Sequence, residues 1–207
     1  MTTEVSVLSQ FLAGVQNYRE TAPVTGKPLL RFVKTGQWVL GAANDDVSDS
    51  PFAINSLSIR IGYVAWGARG TPQEGSVVAE TPMIPFAHGW PEVDRNMVLD
   101  KGSIAQKFLL EGVIDPAKER IECVYSTATD GGAKAMAALI QSIYTQALKG
   151  SAFIFPRAML DAGTYKHSQY GQMYTPHFRI DHWTDTNGKR EGEAPALARP
   201  KPKRDLV

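Results

Sequence analysis

The chain lacks the features that mark several classes of protein. Cys123 is the only cysteine among 207 residues, so no internal disulfide can form and the composition suits a reducing compartment. No apolar run approaches the ~20 residues that a transmembrane helix needs. The first residues lack the basic start of a signal peptide. We therefore expect a cytoplasmic chain that does not cross a membrane.

The chain also has no excess of charge of either sign. Lys and Arg number 22 and Asp and Glu number 21, for a net charge of +1. Such a balance is not typical of a strongly basic nucleic-acid protein. Any binding to nucleic acid must then depend on a local cluster of cations and not on the total charge.

Signatures of catalysis and of metal binding are absent. The chain has no GxSxG, GxxxxGK[ST] or GxGxxG motif. Cys123 lies in the alternating run IECVYS, which is typical of a buried structural thiol. His167, His177 and His182 do not have the spacing of zinc ligands. We expect no catalytic residue, no metal and no cofactor, and hence not an enzyme.

Two further features are compatible with acid–base catalysis or with anion binding, but both have simpler structural explanations. Glu111 and Glu122 lie on predicted strands that could be neighbours and could act as an acid–base pair, although glutamates on strand surfaces are common. Gly131 and Gly132 precede a predicted helix, where free N–H groups attract anions. Without a phosphate-loop motif around them, they favour an ordinary helix start.

What the chain does contain is a sheet-like pattern with one clear helix. Apolar residues make up 43 % of the chain, enough for a sizeable core. Strands are predicted at 29–41 (a pair around Thr35-Gly36), 56–67, 103–114, 120–127, 152–160 and 178–183. A helix is predicted from Ala133 to Lys149, and a short amphipathic helix at 3–19. The predicted fold class is α+β, a β-rich OB-like barrel or twisted antiparallel sheet with these two helices.

The pattern predicts one globular domain, residues 1–183, followed by a disordered, basic and Pro-rich tail, residues 184–207. On the long helix, two apolar stripes are expected. One consists of Ala135, Ala138, Leu139, Ser142, Ile143 and Ala147, and the other of Met136, Ile140, Tyr144 and Leu148.

The most informative stretch is FIFPRAMLDAGTYKHSQYGQMYTPHFRIDHW, residues 153–183. It holds six of the fifteen Phe and Tyr residues and three of the four His. Apolar runs flank a middle that is rich in turn residues and in rings beside cations. The pattern predicts two strands joined by a long aromatic and basic loop, a natural binding surface.

The strand at 56–67 predicts a second part of that surface. Arg60, Gly62, Val64 and Trp66 share one face, and Gly62 leaves room for a close approach. This face is either covered by another element or a platform on which bases stack, as in single-strand binders. Arg69 follows in a Gly-rich turn.

Stacking on an exposed ring contributes about 1–3 kcal/mol per base, so a few rings suffice at low net charge. Trp38 and Phe178 are predicted to lie in the core instead. The residues predicted to bind nucleic acid are Lys34, Arg60, Trp66, Arg69, Arg157, Tyr165, Lys166, His167, Tyr170 and Tyr174.

The stretch 153–183, after a helix that follows a GG turn, resembles the end of phage-encoded single-stranded DNA-binding proteins, and KTGQWVLG and IGYVAWG look like phage segments. The resemblance implies an OB-like sheet and sequence-independent binding of single-stranded DNA, in phage replication or recombination, in the cytoplasm of the host cell. It implies no catalytic step and no cofactor. One departure is the basic end PKPKRDLV, where such proteins often carry an acidic tail that recruits partners.

Two other functions stay open. The chain could be a structural or interaction protein of a phage, whose sheet face and N-terminal helix form a homo-oligomer. It could also be an enzyme whose site has no recognised motif.

Overall fold

The structure is a computed structural model that describes residues 26–98, 102–116, 119–168 and 171–193. Three single-turn 3₁₀ helices lie at Ser56–Ser58, Phe86–His88 and Arg95–Met97. The long helix is α1 (Asp130–Leu148). The strands are β1 (Leu29–Phe32), β2 (Trp38–Leu40), β3 (Asp45–Asp46), β4 (Pro51–Ile54), β5 (Arg60–Trp66), β6 (Val77–Glu80), β7 (Ile84–Pro85), β8 (Ser103–Ile114), β9 (Ile121–Thr127), β10 (Phe155–His167) and β11 (Gly171–Thr184).

The strands form one mixed sheet. Their order is β11-β10-β4-β8-β9-β1-β2-β3, and β5 pairs with β8 and carries β6 and β7. Among the described pairs, β1–β9 is parallel and the others are antiparallel. The predicted β-rich α+β class is confirmed. An OB-like barrel is not confirmed, because the sheet is open.

The two ends of the curled sheet meet around an aromatic core. The ring of Trp38 on β2 lies 5.3 Å from that of Phe178 on β11 and 5.2 Å from that of Tyr125 on β9. Its indole Nε1 donates a hydrogen bond of 2.8 Å to the carbonyl oxygen of Asp161. Trp38 and Phe178 are buried, which confirms their predicted place in the core.

Helix α1 begins three residues earlier than predicted, so the two glycines lie inside it. The Oγ1 of Thr129 accepts a hydrogen bond from the N–H of Gly132, which caps the helix. A Cβ on Gly132 would lie 1.8 Å from Oγ1 of Thr127, and one on Gly131 would lie 3.1 Å from Cγ2 of Thr175. The glycines therefore allow the helix start to approach β9 and β11 closely, which accounts for them without a phosphate.

The buried face of α1 differs from both predicted stripes. Its fully buried residues are Gly132, Met136, Leu139 and Gln146, about one per turn. Beside this row, Ala133, Ala135, Ile140 and Ile143 are partly buried against the core. Tyr144 and Leu148, two members of the second predicted stripe, are 56 % and 68 % exposed.

The predicted loop between the last two strands is wrong. Tyr165, Lys166 and His167 lie on β10, Tyr174 lies on β11, and only residues 168–170 separate the strands. The outer part of this hairpin extends beyond the core, and residues 164–168 and 171–175 are all exposed or half-buried. It therefore lacks the apolar alternation by which a strand is recognised in sequence.

The ends of the chain are described only in part. The predicted helix at 3–19 and residues 194–207 lie outside the described residues. After the predicted boundary at 184, the chain turns back and the N–H of Glu191 donates to the carbonyl oxygen of Trp183 at 2.9 Å. None of the described helices has the combination of length and hydropathy that a bilayer span demands.

Candidate nucleic-acid interface

A groove lies where β5 ends and α1 begins, and we call it the Trp66 groove. It has two halves that share Trp66, Ala128 and Thr129. The larger half, about 680 Å³, is completed by residues 103–106, Asp130 and Ala133. The smaller half, about 220 Å³, is completed by residues 31–33, residues 125–127 and Pro176. Trp66 lines both halves and is half-buried, so part of its side chain remains accessible.

The smaller half contains a cation without an acidic partner. The Nη2 of Arg31 donates to the carbonyl oxygen of Gly41 at 2.9 Å and to Oδ1 of Asn44. In the described part of the chain no carboxylate lies within ion-pair distance of this guanidinium. Its Nε is buried without a hydrogen-bond partner among the described residues.

The turn between β1 and β2 joins the groove to the hairpin. Lys34 is exposed in this turn, which the hydrogen bond from the N–H of Gly36 to the carbonyl oxygen of Val33 closes at 3.0 Å. A Cβ on Gly36 would lie 2.7 Å from Cδ1 of Tyr174, so this ring rests on the glycine. Pro176, two residues further along β11, lines the groove. The groove, the turn and the hairpin thus form one continuous surface.

The tip of the hairpin carries three more of the predicted residues, Tyr165, Lys166 and His167. Tyr165 is 48 % exposed, Lys166 is exposed, and His167 is half-buried. Tyr165 pairs with Met173, while Thr164 pairs with Tyr174. Because successive side chains of a strand point to opposite faces, Tyr165 and Tyr174 present their rings on opposite sides of the hairpin. Stacking on both would require a strand that wraps around the tip.

Arg60 and Trp66 do share a face of β5, but they do not form a platform. A Cβ on Gly62, between them, would lie 2.8 Å from Sδ of Met83 and 3.0 Å from Oγ1 of Thr81. The space at Gly62 is therefore filled by the chain itself. Arg60 is exposed at the other end of the strand, about 20 Å from Trp66.

Two other predicted cations have different surroundings. Arg157 lies eight residues before Tyr165 on β10, about 25 Å along the strand, and its Nη2 is 3.5 Å from Oδ2 of Asp115. Arg69 is exposed in the turn after β5, three residues beyond Trp66. Tyr170 lies outside the described residues.

The sequence-based prediction missed four residues of the groove, Arg31, Tyr125, Thr127 and Thr129. They come together because β1 pairs with β9 in parallel, with Leu30 opposite Tyr125. A local sequence pattern cannot predict a pairing between two strands that are so far apart in the chain.

The groups considered for chemistry have structural partners. The Nζ of Lys27 lies 2.7 Å from Oε2 of Glu111 and 3.1 Å from Oε2 of Glu122. These hydrogen bonds raise the pKa of Lys27. Burial raises the pKa of the Cys123 thiol to about 12, which disfavours the nucleophilic thiolate.

The histidines do not assemble a metal site. The Nδ1 of His182 is 2.7 Å from Oδ2 of Asp181, and this contact lowers the pKa of the Asp181 carboxyl. Across the described ranges, no group of three or more His, Cys, Asp or Glu side chains is placed to hold a metal ion.

Comparisons with protein-family models, with curated proteins and with solved structures give no significant match to this chain. The function is therefore argued from the geometry of the Trp66 groove and the hairpin.

Proposed function

We propose that the chain binds single-stranded DNA without sequence specificity. The strand would run from the Trp66 groove, over the turn that carries Lys34, to the tip of the β10–β11 hairpin. The observation that carries this proposal is the contact between Gly36 and Tyr174, which joins the groove side of the molecule to the hairpin. Exposed rings beside cations on one continuous surface suit a strand whose bases stack and whose phosphates are neutralised.

The charges along this path are few but suitably placed. Arg31, Lys34 and Lys166 lie on it, and Asp130 is the acidic residue that lines the larger half of the groove. Neutralising about three phosphates of a single strand gives a slope of about −2 for log K against log salt. Binding would thus be salt-dependent despite the net charge of +1.

The resemblance to phage single-stranded DNA-binding proteins supports the same function. It would place the protein in phage DNA replication or recombination, in the cytoplasm of the host cell, with no catalytic step and no cofactor.

The test is a titration with labelled oligo-dT at two salt concentrations, followed by fluorescence anisotropy and tryptophan quenching. We expect binding at low salt that weakens with the slope given above. Lys34→Gln should weaken binding and reduce the slope by about 0.7. Lys189→Gln removes the same charge from an exposed position at the other end of the hairpin and should change neither. If neither single- nor double-stranded DNA binds at low salt, the proposal is wrong.

A second candidate function rests on a different surface. Tyr144 and Leu148 are exposed one turn apart on α1, and apolar pairs of this kind suit contact with another helix. The chain would then be an oligomer-forming structural protein. Light scattering should show a defined oligomer that Leu148→Glu converts to a monomer without loss of secondary structure. A wild-type chain that is monomeric at all concentrations measured would exclude this candidate.

A further inference from the structure

One face of the β10–β11 hairpin points away from the core, and we call it the outer face. Residues that pair directly across two strands have side chains on the same side of the sheet, and Asp161 pairs with His177. The next residues in the two strands, Leu160 and Phe178, pair with each other and are buried in the core. Because side chains alternate along a strand, Asp161, His177 and Arg179 lie on the outer face.

A β-bulge brings a second histidine to this face. The register shifts after Arg157, which pairs with His182, and Asp181 is the extra residue on β11. Such a residue reverses the alternation of the strand, so His182 and His177 share a face although they are five residues apart. The Nδ1 of His182 is 2.7 Å from Oδ2 of Asp181, whereas His177 is exposed. His177 is therefore the imidazole that a ligand on this face can reach.

The outer face leads from the tip of the hairpin toward its base. Tyr165 lies on this face, four residues beyond Asp161 on β10, which is about 13 Å along the strand. Gly163 lies between them, and its partner across the hairpin is Thr175. Only small groups thus separate the exposed ring of Tyr165 from His177.

The charges on this face are balanced until a histidine is protonated. The Nε of Arg179 is 3.5 Å from Oδ2 of Asp161, and Asp161 is also the carboxylate directly opposite His177. The side chain of Arg179 is 57 % exposed, so its other N–H groups are accessible to a phosphate. On α1, the start of which contacts β11, the charged residues are Asp130 and Lys134. Histidine gains a charge as the pH falls from about 8 to about 5.5, which leaves this set with an excess of positive charge.

We propose that the bound strand wraps around the hairpin tip, stacks on Tyr165 and continues along the outer face, where His177 and Arg179 contact its phosphates. This inference rests on the proposed binding of single-stranded DNA and adds a second half to the path of the strand. Each phosphate contact on this half makes the slope of log K against log salt steeper by about 0.7. Binding strengthens at low pH because the protonated imidazole attracts the phosphate.

The first experiment measures the anisotropy of labelled oligo-dT of about 25 nucleotides, long enough to pass the tip, at about pH 8 and about pH 5.5. We expect the wild type to bind more tightly at the lower pH. His177→Gln should lose about fivefold of this gain at about 0.1 M salt, the effect of one phosphate contact. His88→Gln removes an exposed histidine from the 3₁₀ helix Phe86–His88 and should keep the whole gain.

The second experiment measures the salt dependence at about pH 8, where the histidines contribute little charge. Arg179→Gln should reduce the slope by about 0.7. Arg95→Gln, which removes an exposed arginine from the 3₁₀ helix Arg95–Met97, should leave the slope unchanged.

The outcomes separate this inference from the proposed function. If the wild type binds oligo-dT at neither pH, the proposed function fails and the outer-face path fails with it. If the wild type binds but His177→Gln keeps the full gain at low pH, or Arg179→Gln keeps the full slope, the strand does not follow the outer face. Single-strand binding through the Trp66 groove then stands.

Discussion

The ring of Tyr174 occupies the space above Gly36 that any other side chain would need. A Cβ there would lie 2.7 Å from Cδ1 and 2.8 Å from Cγ of the ring. Gly36 also has a φ of +88°, a conformation that other residues rarely adopt. One glycine therefore shapes the turn that carries Lys34 and holds this turn against β11.

Gly36→Ala should lower stability more than the same change at a glycine without such a neighbour. Gly75 is the matched control, because its φ is +76° and nothing lies within 4 Å of an added Cβ. Backbone strain should cost about 1–2 kcal/mol at both positions. At Gly36, displacement of the ring should add about 1–3 kcal/mol. Urea unfolding of both variants measures the difference.

In a Tyr174→Ala background the extra cost at Gly36 should disappear. Equal losses for Gly36→Ala and Gly75→Ala in the wild-type background would show that the ring contact is unimportant.

Tyr165→Ala should weaken binding of single-stranded DNA about tenfold, which corresponds to one stacked base. Stability should change little, because the side chain is 48 % exposed at the hairpin tip. Tyr144→Ala on α1 removes a ring of similar exposure from a surface away from the groove, and affinity should not change. Anisotropy with oligo-dT distinguishes the two, and equal affinities would exclude the tip from the binding path.

Gly132→Ala should destabilise the protein, whereas Gly131→Ala should be close to neutral. Alanine improves helix propensity by about 1 kcal/mol at either position. At Gly132 the new methyl group would lie 1.8 Å from Oγ1 of Thr127, while at Gly131 the nearest atom is at 3.1 Å. The clash at Gly132 should lower the free energy of unfolding by about 1–3 kcal/mol, and the gain in helix propensity offsets only part of this loss. Thermal unfolding of the Gly131→Ala and Gly132→Ala variants measures the two changes in stability. A stabilised Gly132→Ala variant would contradict the close packing of α1 on β9.

Cys123 should make stability sensitive to alkaline pH. Its pKa rises from 9.0 to about 12 on folding, because burial disfavours the thiolate. The folded state thus holds its proton more tightly than the unfolded chain. The contribution of the thiol is complete below about pH 9 and is lost progressively as pH rises toward 12.

Denaturant midpoints across this range should fall less in Cys123→Ala than in the wild type. A thiol reagent at neutral pH should react with the native protein only after unfolding. Rapid labelling of the folded chain would show that the thiol is accessible.

The strands and helix that local patterns specify were predictable. The run from Arg60 to Trp66 was recognised as a strand because successive side chains of a strand point to opposite faces, and α1 has the periodicity and the cap that helices require. Trp38 and Phe178 were placed in the core because a large ring with apolar neighbours gains most from burial.

The features that could not be predicted depend on contacts between residues that are distant in sequence. The covering of Gly62 by Thr81 and Met83, the contact of Tyr174 with Gly36, and the pairing of Leu30 with Tyr125 all arise from the path of the sheet. The exposure of Tyr144 and Leu148 likewise depends on which side of α1 packs against the strands. No local periodicity encodes these relationships, so the groove itself could not be found from the sequence.

The bond from the indole of Trp38 to the carbonyl oxygen of Asp161 has a consequence for synthesis of the chain. As residues leave the ribosome from the N-terminus, β1 and β2 are exposed long before β9, β10 and β11 exist. The residues that cover the Trp38 indole are synthesised late. The apolar side chains of β1 and β2 therefore remain exposed to solvent for most of translation. Folding should then be a late and comparatively slow event, as expected for long-range pairing. A nascent chain arrested before residue 155 should be sensitive to protease, and release of the full chain should produce resistance.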